Sequence, residues 1–243
     1  MELFIGTSGW AYKHWEDDVF YPSKIRSEAK LHYYSKKFNT VEINCTFYRQ
    51  PLDQTFKKWF DAVPDHFTFS VKANRFITHI KRLSGCTDEI KRLLKSTELL
   101  GHKLGPILFQ LPPSLRKDIG LLNKFLENLT PDHFYTFEFR HESWFCDEVY
   151  RIFHSKNLAI CLTDSKKFPK CSEVTTNFIY VRFHGGEALY ATDYKLDELE
   201  IWANKIANSL KSGLKIYCYF NNDYHAYAIK NATELKNLIK GRL

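Results

Sequence analysis

Hydrophobic and polar positions along this chain follow two periods that alternate from one end to the other. Eight short runs rich in β-branched and aromatic residues predict strands, at residues 3–9, 40–46, 67–73, 106–111, 134–140, 158–164, 178–184 and 215–221. Between most of these strands, apolar residues recur every three or four positions, which is the spacing of an amphipathic helix. The helical sets are Leu31, Tyr34 and Phe38; Phe56, Trp59, Phe60 and Val63; Ile90, Leu93, Leu94 and Leu100; Leu122, Phe125, Leu126 and Leu129; Val149, Ile152 and Phe153; Leu199, Trp202, Ile206 and Leu210; and Ile229, Ala232, Leu235 and Leu238.

Alternating strands and helices indicate an α/β protein with a parallel sheet. Eight such units in 243 residues predict a TIM (β/α)8 barrel, with an open doubly wound sheet as the alternative. No GxGxxG sequence follows the first strand, which weakens that alternative. Residues 165–177 carry no helical pattern, so an irregular connection is expected between the sixth and seventh strands. No linker or low-complexity segment interrupts the chain, so residues 1–243 are predicted to form a single domain.

Composition and charge narrow the class of protein. A hydrophobic content of 44% is enough for a packed core, so the sequence predicts a folded rather than a disordered chain. The six cysteines show no metal-binding spacing, and Cys45, Cys161 and Cys218 lie in predicted strands, which indicates buried thiols in a reducing compartment. The first strand begins at Leu3 and no apolar run is long enough to cross a membrane. The sequence therefore predicts a cytoplasmic protein without a membrane partner, and its formal charge of +7 leans weakly towards anionic partners.

Polar residues accumulate near the carboxyl end of every predicted strand, where TIM barrels build their active sites. The clearest case is the fifth strand, in which Glu138 and Arg140 are two apart and share a face. Buried ionised groups are costly unless they are paired, so such residues form either a structural ion-pair network or a site. Because so many occur at one end, we favour a functional pocket.

Four of these residues are candidates for catalysis. Glu138 and Glu42 are carboxylates that could act as acid and base, and His184 could orient a substrate or carry a proton. Lys72 could be a nucleophilic amine if it is desolvated, as in Schiff-base chemistry.

An anion is the ligand that the remaining polar residues favour. Arg182 offers a bidentate fork, Gly185 and Gly186 allow close backbone approach, and loops after the last two strands of TIM barrels frequently bind phosphate. The predicted substrate- or anion-binding set is Arg140, Arg182, Asn44, Gln110, Gly185, Gly186, Asn221, Asn222, Trp10, Tyr48, His141, Trp144 and Asp164. Carboxylates and His184 could also ligate a metal, but three cations approach the same space and would repel it, so neither a metal nor a cofactor is predicted.

Eight motifs, taken in order, resemble the YecE-like family, known as domain of unknown function 72. They are GTSGWAYKHW, FYP at residues 20–22, TVEINCTFYRQP, FSVKANRFITH, LGPILFQLPP, FEFRHESW, YVRFHG, and YFNND followed by NATEL. The resemblance implies a TIM barrel but no reaction, since the family has no established activity. The family positions it carries over are Glu42, Asn44, Lys72, Gln110, Glu138, Arg140, His141, Trp144, Arg182, His184, Asn221 and Asn222, while Cys45 stands where serine is usual.

The leading hypothesis from the sequence is an enzyme, hydrolase- or lyase-like, that acts by acid/base catalysis on a phosphorylated or other anionic substrate. Three alternatives stay open at this point. They are a non-catalytic nucleic-acid-binding protein, a metal-dependent phosphoesterase or endonuclease-like hydrolase, and a protein-interaction scaffold. The oligomeric state is not predicted.

Overall fold

A computed structural model describes residues 2–186 and 189–243 and places nine strands in two parallel sheets. One sheet has the order β1-β9-β8-β7 and the other β2-β3-β4-β5-β6. In chain order the strands are β1 (Leu3–Thr7), β2 (Thr40–Ile43), β3 (Thr68–Lys72), β4 (Leu104–Gln110), β5 (Tyr135–Glu138), β6 (Ala159–Ile160), β7 (Leu162–Asp164), β8 (Phe178–Phe183) and β9 (Lys215–Phe220). Each of the eight predicted strands is therefore present, and the sixth is interrupted at Cys161.

Helices separate most of the strands, as the periodicity predicts. They are α1 (Lys30–Ser35), α2 (Cys45–Tyr48), α3 (Asp53–Ala62), α4 (Thr87–Thr97), α5 (Ile119–Leu126), α6 (Asp147–Ser155), α7 (Leu196–Lys211) and α8 (Tyr227–Lys240). Residues 165–177 contain no helix, which agrees with the irregular connection expected there.

The predicted strand at residues 40–46 is wrong at its carboxyl end. The strand stops at Ile43, and the chain turns directly into the short helix α2. The Thr46 hydroxyl lies within hydrogen-bonding distance of the carbonyl oxygens of Ile43 and Lys72, at 2.9 and 2.7 Å, and its one O–H stabilises this early turn. Cys45, expected to be buried in the strand, is consequently exposed at the start of α2.

Alternate residues of the strands face two different environments. On β2, Val41 and Ile43 pack into the apolar core shared with the helices, whereas Glu42 between them contacts residues of the other sheet. A second, smaller apolar cluster includes Leu108, Tyr180 and residues of β9. Burying a side chain such as Leu or Ile contributes about 1.5–3 kcal/mol, so the larger, helix-facing cluster contributes more hydrophobic stabilisation than the smaller one.

The two sheets contact each other without a continuous hydrogen-bonded ladder. The Thr40 hydroxyl of β2 hydrogen-bonds to the Tyr219 hydroxyl of β9 at 2.7 Å. At the β1–β2 edge, a Cβ added to Gly6 would lie 2.1 Å from the Thr40 carbonyl oxygen, so only glycine fits there. Ladders in the described residues join strands within each sheet and not across the two. The structure thus shows an α/β fold with parallel sheets rather than a barrel closed by hydrogen bonds.

Candidate functional site

A buried arginine links the two sheets through two carboxylates. Arg182 on β8 donates from Nη2 to Glu42 Oε1 at 2.8 Å and from Nη1 to Glu138 Oε2 at 2.5 Å. All three side chains are almost completely buried. Glu42 also accepts from the Ser8 hydroxyl at 2.9 Å and the Tyr180 hydroxyl at 2.6 Å. Tyr180 and Arg182 lie two residues apart on β8 and so point to the same interior face.

The strand register places Glu138 beside Gln110 of the neighbouring strand. The second oxygen of Glu138, Oε1, accepts from Arg140 Nε at 2.7 Å and lies 3.3 Å from His184 Nε2. Burial raises the pKa of the Glu138 carboxyl, but Arg140 and Arg182 outweigh burial and hold it well below its usual range. The Glu138 carboxylate is therefore ionised and already bound by two guanidinium groups.

Glu42 is in a similar electrostatic environment. Burial raises the pKa of its carboxyl, whereas the positive charges of Arg182 and Lys72 lower it by more, and the net direction is downward. Together, Glu42, Arg182, Glu138 and Arg140 form an alternating chain of charges, which we call the carboxylate–arginine network. A buried network of this kind is a weak source of stability but holds its members in fixed positions.

Lys72, at the end of β3, is a nearly buried cation with a neutral partner. Its Nζ donates to Gln110 Oε1 at 2.7 Å and lies 4.0 Å from the centroid of the Phe47 ring. In the described part of the chain, no carboxylate oxygen comes within 4.0 Å of this nitrogen. Burial, followed by the charge of Arg182, lowers the pKa of Lys72 from 10.5 to about 7.

His184 follows β8 and is oriented by an amide. Asn221 Nδ2 donates to His184 Nδ1 at 3.3 Å, an assignment that puts the imidazole proton on Nε2, the atom that faces Glu138. Burial lowers the pKa of His184, since it disfavours the imidazolium more than Glu138 favours it. The ring is therefore neutral near pH 7.

A cavity of about 620 Å³, here called the mouth cavity, opens next to the network. Its lining comes from the carboxyl ends of strands in both sheets, or from the loops that follow them. The lining residues are Tyr12, His14, Asn44, Phe47, Tyr48, Lys72, Arg75, His79, Gln110, Arg140, Arg182, Tyr190, Asn221 and Asp223. Seven of the predicted site residues are in this set, namely Asn44, Tyr48, Lys72, Gln110, Arg140, Arg182 and Asn221.

Three more of the predicted residues belong to the network or contact it, without lining the cavity. Glu42 and Glu138 accept hydrogen bonds from Arg182, and His184 Nε2 lies 3.3 Å from Glu138 Oε1. The structure therefore brings all four predicted catalytic residues to the same region.

Several predicted residues have structural contacts elsewhere. Trp144 is fully buried, stacks on Phe139 at a centroid distance of 4.7 Å and donates to the Leu115 carbonyl oxygen. His141 accepts from the Ser143 backbone N–H at 3.1 Å, which caps a short 3₁₀ turn. Neither side chain is part of the cavity lining.

The remaining predicted residues lie around the ends of β1, β7, β8 and β9. Asp164 accepts from Trp202 Nε1 at 3.1 Å and Lys170 Nζ at 3.1 Å, and Asn222 donates to Asn231 and to the Thr192 carbonyl oxygen. Gly185 has a φ of 89° and donates its N–H to the Tyr194 hydroxyl. A Cβ added to Gly186 would lie 3.3 Å from Glu198 Oε1. Trp10 packs edge-on against Trp59. None of these residues is in the lining of the mouth cavity.

A carboxylate that was not among the predicted site residues closes one side of the mouth cavity. Asp223 accepts from Trp15 Nε1 and hydrogen-bonds to His14 Nε2, both at 2.9 Å. Burial raises the pKa of Asp223 to about 6, although its contact with His14 opposes this effect. The signal in the sequence was the polar run Asn221–Asp223 after the last strand, but its partner His14 lies 209 residues away.

His79 is a second lining residue that was not in the predicted site. It lies in a π-helical turn, Phe76–Ile80, and such turns frequently occur at functional sites. Gln110 donates from Nε2 to His79 Nε2 at 3.3 Å, so the amide connects the imidazole to Lys72. Burial and the charge of Lys72 lower the pKa of His79 to about 4.

Comparison with known proteins identifies the family. The model of the family described as "Protein of unknown function DUF72" matches residues 4–242. The chain belongs to the DUF72 family. This confirms the family inferred from the eight sequence motifs.

Individual proteins show similarity over nearly the whole chain. The UPF0759 protein YunF of Bacillus subtilis is 27% identical over 98% of this chain and 94% of its own length. The crystal structure of a DUF72 family protein from Thermotoga maritima is 28% identical, with a TM-score of 0.87, and covers 99% of this chain and 100% of its own. A DUF72 family protein from Enterococcus faecalis has a TM-score of 0.85 at 18% identity, over 98% of this chain and 95% of its own, which shows a shared fold.

None of the helices in residues 2–186 and 189–243 is long and apolar enough to cross a membrane. Within the same ranges, no group of three or more His, Cys, Asp or Glu side chains is arranged so that it could hold a metal ion.

Proposed function

We propose that this protein is an enzyme that binds a small anionic substrate in the mouth cavity and transfers a proton through Lys72. The observation that carries the proposal is the position of the Lys72 amine, which lines the cavity between Gln110 and Phe47. A general base acts best when its pKa lies near the working pH, and the lowered pKa of about 7 meets that condition.

The carboxylates have a positioning role in this proposal. The sequence hypothesis gave proton transfer to Glu138 with Glu42 as its partner. Both carboxyls have lowered pKa values and both accept from Arg182, so their lone pairs are engaged and they remain ionised. They hold Arg182 and Arg140 in place, and the proton transfer moves to Lys72.

Arg140 is the proposed anchor for the anion. Its side chain is only 10% exposed, yet it lines the cavity, and its guanidinium lies 4.1 Å from the centroid of the Phe168 ring. Its contacts in the described residues use Nε for Glu138 and Nη2 for Tyr190, which leaves Nη1 for a ligand. A guanidinium held in this way can meet a carboxylate or phosphate with little loss of conformational freedom.

We also infer that the two sheets are the halves of one (β/α)8 barrel, in which β6 and β7 count as a single strand. The Thr40–Tyr219 hydrogen bond, the close approach at Gly6 and the shared Arg182 network support this reading. The cytoplasmic location, the single domain and the hydrolase- or lyase-like class stay predictions.

The enclosed position of the cations favours a small anion over a nucleic acid. Nucleic-acid affinity comes mainly from lysines and arginines that reach a phosphate backbone from the surface. Here Lys72 and Arg182 are buried residues that line a cavity. A phosphate of a nucleic acid would have to enter this cavity to reach them. The metal-dependent hydrolase alternative is weakened because both carboxylates of the network are bound by arginine.

Isothermal titration calorimetry with inorganic phosphate and with oxamate tests the proposal. Arg140→Met should weaken binding of oxamate about tenfold or more, because a hydrogen bond to a charged group contributes about 1.5–3 kcal/mol. The matched control is Arg242→Met, which removes an arginine that bonds to Asn204 and the Leu238 carbonyl outside the cavity. Binding that is absent in the wild type, or equal in the Arg140 and Arg242 variants, would refute the proposed function.

A further inference from the structure

The Lys72 amine is presented to the mouth cavity in a form suited to nucleophilic attack. Its hydrogen-bond partner, Gln110 Oε1, is a carboxamide oxygen and accepts one N–H. A carboxylate partner would strongly favour the ammonium, whereas a carboxamide oxygen carries no net charge and also accepts an N–H from a neutral amine. Only 8% of the residue is exposed, and that part borders the cavity. The lone pair of the neutral amine can therefore point towards a bound substrate.

The electrostatic surroundings keep part of this amine neutral. Burial is the largest cause of the lowered pKa of Lys72, and the charges of Arg182 and Arg140 act in the same direction. Glu42 and Glu138 act in the opposite direction, but the arginines bind both. About half of the amine is deprotonated near pH 7, the condition that activates lysine for covalent catalysis.

The same cavity offers a place for a carboxylate and for an organic side group. Arg140 supplies the guanidinium described above, and Phe47 and Tyr48 supply aromatic surface, with Tyr48 73% exposed at the rim. The volume of about 620 Å³ lies in the usual range of small-molecule sites.

We propose that Lys72 forms an iminium with the carbonyl carbon of a 2-oxo acid whose carboxylate is bound by Arg140. This inference rests on the proposed function, since it uses the same cavity and the same anion anchor. A 2-oxo acid places an electrophilic carbon next to a carboxylate, which matches an amine and a guanidinium that line one cavity. It also carries a variable side group, for which the aromatic residues provide contact.

The covalent step takes up one proton from solvent and releases one molecule of water. The Nζ lone pair attacks the carbonyl carbon, the C=O π electrons move to oxygen, and the proton released by nitrogen neutralises that oxygen to give a carbinolamine. The C–O bond then breaks, and the hydroxyl leaves as water with a proton from solvent. The nitrogen lone pair forms the C=N bond, so the product is an iminium cation beside the carboxylate–arginine network.

Borohydride trapping tests the inference on the full chain. The protein is incubated with pyruvate, 2-oxoglutarate or phenylpyruvate, the iminium is reduced to a secondary amine, and labelled lysines are located by peptide mass spectrometry. We expect Lys72 to be labelled by at least one of the three acids and to exceed exposed lysines such as Lys57 and Lys58 in extent. Lys103 is an internal control, because it is also buried but donates to the carbonyl oxygens of Phe60 and Val63 and lies 3.4 Å from Asp65, and it should stay unlabelled.

Variants and a non-reactive analogue separate this inference from the proposed function. Arg140→Met keeps the amine and should reduce labelling of Lys72 about tenfold, and an excess of oxamate should protect Lys72. Lys72→Met, checked for folding by circular dichroism, should lose the label. If oxamate binds while Lys72 is labelled no more than exposed lysines by all three acids, the iminium is overturned and the anion site stands. If oxamate does not bind and Lys72 is not labelled, both proposals are overturned.

Discussion

Lys72→Met is expected to make the protein more stable near pH 7, and the gain is expected to shrink as the pH rises. The lysine lies at the end of β3 with its ammonium nearly buried and without a carboxylate partner in the described residues. Methionine keeps a long flexible stem, packs well against an aromatic ring such as Phe47, and carries no charge to desolvate. The substitution therefore removes an electrostatic penalty while preserving most of the packing.

The size of the penalty follows from the pKa of Lys72. A fall from 10.5 to about 7 corresponds to about 5 kcal/mol, at about 1.4 kcal/mol for each pH unit. Because the folded pKa lies below the unfolded one, the unfolded chain binds more protons between these values, and wild-type stability rises with pH across that window. Below about pH 7 the whole penalty applies, whereas at about pH 9.5 only about 1.4 kcal/mol of it remains. Loss of the hydrogen bond to Gln110 offsets the gain by about 1 kcal/mol.

Urea denaturation of both proteins at about pH 7 and about pH 9.5 measures the effect. The stability difference between Lys72→Met and wild type should fall by about 3 kcal/mol between the two conditions. Lys103→Met is the control, since this buried lysine donates to two carbonyl oxygens and its removal should lower stability. A Lys72→Met variant that is less stable than wild type near pH 7, or a difference that does not change with pH, would refute the reasoning.

Three further substitutions test the carboxylate–arginine network, Asp223 and Trp144 in turn. Arg182→Met should lower the free energy of unfolding by about 3–5 kcal/mol in urea, because Glu42 and Glu138 would be left as buried charges without a guanidinium between them. A loss below about 1 kcal/mol would contradict the paired arrangement. The pKa of Asp223 is raised from 3.8 to about 6 in the folded state, which therefore binds more protons than the unfolded state between about pH 4 and about pH 6. Wild-type stability should decrease as the pH rises through this window, and Asp223→Asn should abolish that decrease. Identical pH profiles for Asp223→Asn and wild type would count against it. Trp144→Ala should cost about 3–5 kcal/mol in stability yet leave oxamate affinity unchanged at a temperature where the variant is folded, and weakened binding would place the indole in the site.

The strand positions and the convergence of charged residues were predictable because both depend on local rules. Alternation along a strand places Glu138 on the opposite face from Phe137 and Phe139, and parallel strands bring their carboxyl ends to one edge. The position of Lys72 follows from the same rules. No knowledge of long-range pairing was needed to group these residues.

Partner choice within the site could not be predicted, because it depends on register across the interior. Arg182 bonds to Glu42, which lies 140 residues away in the other sheet, and nothing in either strand specifies that pair. Trp144 was predicted to be a site residue, but it lies outside the lining of the mouth cavity. It follows a polar run at the end of β5 and so resembles a rim residue, but the short turn from Glu142 to Trp144 directs its ring onto Phe139. Turn geometry of this kind is not encoded in hydrophobic periodicity.

The charge balance of the carboxylate–arginine network sets Lys72 apart from Arg140 and Arg182. Glu42 and Glu138 balance Arg182 and Arg140, so a network that existed only to stabilise the fold would be complete without another cation. Lys72 adds a positive group whose partner is the neutral carboxamide of Gln110. An apolar residue at this position would avoid the cost of burying the amine, so its presence points to a benefit other than stability. In the proposed function that benefit is chemical, because the neutral amine of Lys72 meets an anionic substrate held by Arg140 and can act on it as a base or a nucleophile.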